Sequence, residues 1–164
     1  MNDRMVVPMS ISVEVLMLLA DDAGRWSYRQ VDVVPAPGES PDQAARRGCG
    51  LAADADSTVV HSTSWRYVPD GRVILTYAVC PDPVPDAPRA VLAGVGEVAI
   101  GPAPAVPAPE RIEVENVVAH AVRHLALLLI TDPVVRRTLR RRPAIEAALA
   151  RCSPLGAGEL AAAL

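Results

Sequence analysis

The residues able to do chemistry fall into three groups. His120 and His124 stand four apart, so on a helix both rings point the same way. Helical zinc and iron sites use that spacing, and His61 is the remaining histidine of the chain. His61, His120 and His124 together form a candidate metal centre with an open fourth position. Glu113 and Asn116, along the same flank, would orient such ligands. The competing reading is a hydrogen-bonded polar stripe opposite the helix's apolar one, since H-x-x-x-H with no Glu between is a weak metal signature.

The second group is His61-Ser62-Thr63-Ser64-Trp65-Arg66-Tyr67, unusually polar for a strand. Trp65 or Tyr67 would stack on a flat ligand, and Arg66 would grip an anion. With His61 and with Arg123 from the histidine-bearing helix, they would line a site for a small anionic or nucleotide-like molecule. Alternation sends His61 and Ser62 to opposite faces, which argues against a nucleophile–base pair. The competing reading puts Trp65 in the core and Arg66 in water.

The third group is Arg136, Arg137, Arg140, Arg141 and Arg142. All sixteen basic residues of the chain are Arg, Phe is absent, and Ala, Val and Pro abound, which is the bias of GC-rich codons. No aromatic residue interleaves the arginines and no DNA-binding motif accompanies them, so nucleic acid is disfavoured as a partner. The net charge of −3 is spread as −6 over residues 1–130 and +3 over 131–164, too mild to name a partner. Cys49, Cys80 and Cys152 are odd in number with no C-x-x-C, so a disulfide framework or zinc ribbon is not expected. Gly94-x-Gly96 lacks a following helix and is no phosphate cradle.

These groups need elements to hold them. The alternation over Ile11–Leu19 predicts a strand buried increasingly toward its end, and Asp21-Asp22-Ala23-Gly24 a turn into a second strand over Trp26–Val34. Ser40, Pro41 and Gln43 write a capping box for a short helix that Gly48 and Gly50 end. Val59–Val68 and Arg72–Val79 flank Asp70-Gly71, a type I′ hairpin signature. A two-residue turn would place His61, Thr63, Trp65 and Tyr67 on one face. Ala90–Ile100 reads as a further strand between proline-rich connectors. Val114, Val117, Val118, Ala121, Val122, Leu125, Leu128 and Leu129 form a core-helix stripe. Asp132-Pro133 and Pro143 open two more helices.

The order of features from Val13 to Val79 resembles a Nudix hydrolase. Val13–Leu19 supplies the first strand, Gly24-Arg25-Trp26 the turn, and Val34-Pro35-Ala36-Pro37 the loop. Gly38-Glu39-Ser40-Pro41, Ala44-Ala45, Arg47 and Gly50-Leu51 follow in the family's order. In that family the helix acids hold divalent metal against a diphosphate. Here Gly48 stands where a Glu should follow Arg47, about one helical turn is absent, and both metal-binding Glu are gone. Glu39 and Asp42 are the acids left nearby. The resemblance, carried by Gly38, Glu39, Ala44, Arg47 and Gly50, therefore implies the fold without the hydrolysis.

The sequence thus predicts an α+β fold. Its mixed, mostly antiparallel sheet has a short helix after the second strand and a C-terminal helical segment packed on it. Residues 1–155 are expected to form one domain and the Ala- and Gly-rich 156–164 to fray. The apolar runs Ile11–Ala20 and Val117–Ile130 carry charges or histidines and fall short of the roughly 20 residues of a membrane span. A cytoplasmic protein away from membranes is the expectation. Its function reads as non-catalytic, Nudix-like small-molecule binding or interaction. A diverged metal-dependent hydrolase, of Nudix or three-histidine type, and a homo-oligomerising structural module are the alternatives.

Overall fold

The computed structural model describes residues 9–96, 102, 103, 105 and 111–154. Their strands are β1 (Ser10–Ala20), β2 (Trp26–Val33), β3 (Val59–Val68), β4 (Arg72–Cys80) and β5 (Ala90–Val91). Their helices are α1 (Pro41–Gly48), α2 (Val114–Thr131), α3 (Pro133–Leu139) and α4 (Pro143–Ala150). The sheet order is β3-β4-β1-β2-β5, with β1 parallel to β4 and every other pair antiparallel. This is the predicted α+β architecture, with helices on both faces of a mixed sheet. Of the strand read over Ala90–Ile100, Ala90 and Val91 pair with β2, while 97–100 lie outside the described residues, as does the 156–164 segment.

The central strand explains the chain's most apolar run. β1 is covered on both faces, so both parities of its side chains are buried. Val13, Val15 and Met17 meet Ala44, Ala45 and Cys49 of the α1 region, with Tyr77 and Val79 of β4. Leu16, Leu18 and Ala20 meet Val118, Ala121, Val122 and Leu125 of α2, with Leu139, Ile145 and Leu149 behind. Each such leucine or isoleucine contributes about 1.5–3 kcal/mol by leaving water.

Local chemistry sets the helix starts as predicted. Ser40 Oγ accepts from the Gln43 amide at 3.3 Å, and Gln43 Oε1 accepts from the Ser40 amide at 2.9 Å. Asp132 Oδ1 accepts from the amides of Val134 and Val135 at 2.8 and 3.2 Å. By length and composition α2 is the described helix that could cross a membrane, but its stripe packs on the sheet. Arg136 belongs to helix termination: its Nε donates to Leu129 O at 2.9 Å and its Nη2 to Ile130 O, capping the last turn of α2.

The β3–β4 hairpin departs from expectation twice. Val68 pairs with Arg72, so its loop has three residues, Pro69-Asp70-Gly71. The Gly71 amide donates to Val68 O at 3.0 Å, and Gly71 alone of the loop has positive φ, +90°. A type I′ turn needs positive φ at both central residues, and Asp70 does not have it. Pro69 starts a type I turn instead, and Gly71 closes it in the left-handed region. The second departure is a bulge between Ser62 and Ser64. Parity inverts across it: His61 and Arg66 share the α2 face, while Trp65 and Tyr67 share the α1 face.

Candidate functional site

The three histidines do meet. The His61 and His124 ring centroids lie 5.4 Å apart, and those of His120 and His124 lie 6.3 Å apart, nearly parallel. α2 carries the pair across β3, on the sheet face that His61 shares. His124 is buried on the apolar stripe rather than opposite it. The contact is between rings, and one nitrogen each of His61 and His120 faces a backbone carbonyl instead. His61 Nδ1 lies 2.8 Å from Ser62 O, and His120 Nε2 lies 3.2 Å from Thr63 O, the carbonyl of the bulge. Among the described residues no group of three His, Cys, Asp or Glu is arranged to hold a metal ion. His61, His120 and His124 are thus brought together by their rings, as expected, but not in a ligand arrangement. Burial pushes the His120 pKa down, with Arg123 adding to the effect and the Thr63 carbonyl opposing it. Glu113 and Asn116 serve the helix start, where Asn116 Oδ1 accepts from the Glu113 amide at 3.0 Å.

The expected pocket of His61, Trp65, Arg66, Tyr67 and Arg123 is split by the sheet. Arg66 is turned to a carboxylate within the fold. Its Nη1 and Nη2 donate to the Glu14 carboxylate at 2.8 and 3.0 Å. Glu14 also accepts from Gln30 Nε2 at 2.9 Å and Thr76 Oγ1 at 2.8 Å. Arg123 Nε donates to Ser153 O at 3.0 Å, tying α2 to the end of α4. Across the sheet Trp65 is 70% exposed and Tyr67 60%, so neither aromatic belongs to the core. They sit two apart on one face of an edge strand, about 7 Å from each other along it. That spacing offers two aromatic surfaces side by side.

The Gly38–Leu51 segment is a loop, a helix and a loop. Gly38 has φ +79°, which a glycine adopts freely. Arg47 clasps Glu39 with Nε and Nη2, both at 2.9 Å, while its Nη2 also donates to Val34 O at 3.1 Å. The Ala36 amide donates to Glu39 Oε2 at 2.8 Å. Those bonds, the Arg47 hydrogen bond foremost, bring the Glu39 pKa down to about 2. Asp42 accepts from Tyr77 Oη at 3.3 Å. Ala44 is buried against the sheet and Gly50 has φ +72° at the helix exit. Glu39 and Asp42 therefore both do structural work in this fold.

Sequence reading missed a third arrangement. Arg29 Nε and Nη2 each donate to Asp82 at 2.7 Å, and Arg89 Nη2 donates to it at 2.9 Å. The Val84 amide adds a fourth bond at 2.8 Å. Burial alone would raise the Asp82 pKa, but the Arg29 and Val84 hydrogen bonds and the two guanidinium charges bring it below the ordinary value. Arg29 and Asp82 are 53 residues apart. Their one sequence signal was an Arg inside an otherwise amphipathic strand. The thiols are poor nucleophiles: burial pushes Cys80 up to about 12 and raises Cys49 and Cys152.

Fold and site together define an α+β domain with two helical layers, arginine-clasped carboxylates and an aromatic edge strand. Among known proteins the chain matches no family model, and no curated protein or solved structure is significantly similar to it.

Proposed function

We propose that this chain is a non-catalytic, Nudix-like module that binds a small flat ligand of nucleotide type on Trp65 and Tyr67. The exposed aromatic pair carries the reading. Large aromatics left in water on one strand face lose burial energy unless something stacks on them. The non-catalytic part rests on the carboxylates: Glu14, Glu39 and Asp82 are clasped by arginine, and Asp42 is bonded to Tyr77. A carboxylate already clasped by a guanidinium is not free to take a metal. The resemblance of Gly38–Leu51 to a Nudix box without its metal acids points the same way. A reducing cytoplasm suits the three free cysteines.

The test uses the chain's two tryptophans. Trp26 is buried at 4% exposure, so exposed-indole emission belongs to Trp65. Nucleotides and nucleotide sugars are titrated while that emission is followed, with thermal shift in parallel. One member of the series should quench Trp65 saturably. Trp65→Ala should weaken its binding by about 1–3 kcal/mol, the usual worth of one base–aromatic stack. Absence of quenching and of thermal shift across the whole series would refute the reading. A homo-oligomer is the second reading, because among the described residues no strand pairs with the outer edge of β3. Size-exclusion light scattering separates it from a monomer.

A further inference from the structure

β3 is an edge strand of ten residues, and no strand among the described residues lies on its outer side. From Ser64 to Val68 its register with β4 is regular. The hairpin fixes which way its backbone groups point. Val68 O accepts from the Gly71 amide, so Val68 turns its N–H and C=O toward β4. Peptide groups alternate along a strand, so Arg66 also faces β4, while Trp65 and Tyr67 turn their N–H and C=O groups to the open edge. The two residues with outward backbone groups are thus the two whose rings stand in water, at 70% and 60% exposure.

Proteins normally blunt such an edge with proline, lysine, an unpaired charge, a bulge or a short strand. Val59–Val68 contains no proline, lysine or acid, and its bulge ends at Ser64. Its one arginine, Arg66, is neutralised by Glu14 within the fold, so two such edges meet without charge repulsion. We propose that two copies of this chain pair antiparallel through the outer edges of β3, about a two-fold axis at Arg66. That register sets Trp65 of each copy opposite Tyr67 of the other. Both residues face the seam, so each pair exchanges its two N–H···O bonds and lays an indole beside a phenol. The two sheets become one continuous sheet. The exposed aromatic surface amounts to about 300 Å² per copy. The backbone edge over Ser64–Val68, about 17 Å by 10 Å, brings roughly 170 Å² more. For both copies this is about 900 Å², close to the ~1,000 Å² of a specific interface, which makes the dimer reversible and concentration-dependent. The proposal rests on the homo-oligomer reading and gives it a surface and a register.

The experiment is light scattering and amide hydrogen exchange of the full chain without ligand, from about 1 μM to about 1 mM. The mass should rise from one chain toward two. Over the same range exchange of the Trp65 and Tyr67 amides should slow by about tenfold or more, while the Arg66 amide, paired with β4, stays protected throughout. Trp65→Lys should weaken association by about tenfold or more, and Trp65→Phe should keep it. Trp65 belongs to neither core cluster, so the circular dichroism of both variants should match the parent. A monomer over the whole range overturns the proposal and the homo-oligomer reading together. A dimer whose Trp65 and Tyr67 amides exchange equally fast at both ends of the range, or one that Trp65→Lys leaves as tight, overturns the β3 seam alone. No nucleotide is present, so these outcomes are separate from the stacking of a flat ligand.

Discussion

Glu14→Gln is the most informative single perturbation of this fold. The Glu14 side chain is nearly inaccessible, and its carboxylate accepts four hydrogen bonds, from Arg66 twice and from Gln30 and Thr76. An amide of the same shape turns an NH2 group toward donors and leaves the Arg66 guanidinium without its counter-charge. Removing one partner of a buried pair costs about 3–5 kcal/mol. Arg66 is about a quarter exposed and can be partly rehydrated, so the lower end, about 3 kcal/mol, applies. For a chain of this size that is a fall in melting temperature of about 6–12 °C. Urea unfolding followed by tryptophan emission gives the same quantity directly. The decisive measurement is the cycle with Arg66→Met. Each single variant leaves an orphaned charge, whereas the double variant leaves none. The double should therefore be more stable than the sum of the singles predicts, by about 2 kcal/mol or more. Additivity within about 0.5 kcal/mol would show that the clasp is not a coupled pair and refute the reasoning.

Three further outcomes follow from local geometry. Glu39 has a folded pKa of about 2 against an ordinary 4.5, so its contribution is full above 4.5 and lost as pH falls toward 2. Carboxyl chemical shifts should give that low midpoint, and Arg47→Gln should return it toward 4.5. His120 is depressed below 6.5, so it favours the folded state fully above that pH and progressively less as pH falls through and below it. His120→Gln should flatten the stability–pH curve there, and an unchanged slope would count against burial of a neutral ring. Gly71→Ala forces a side chain into φ +90° and should cost about 1–2 kcal/mol by urea unfolding.

Locally encoded features were legible in the sequence. Ser40, Asp132 and the prolines at 41, 133 and 143 mark helix starts because capping needs only neighbouring residues. The apolar stripe of α2 follows from a single period. Features set by distant partners were not legible. Nothing in Val59–Val68 announces the bulge at Ser62–Ser64, yet that one extra residue moves Trp65 and Tyr67 to the face opposite His61. The parallel pairing of β1 with β4 depends on a crossover that no local signal encodes. Glu14 fits the alternation of β1, but its partner Arg66 is 52 residues away and no local signal pairs them.

The arginine bias of the chain acquires a structural meaning from these clasps. Arg29 grips Asp82 with Nε and Nη2, Arg47 grips Glu39 with the same pair, and Arg66 grips Glu14 with Nη1 and Nη2. Each is a planar two-point contact that a lysine ammonium cannot reproduce. A composition that matches GC-rich codon bias is thus tied to geometry at three sites.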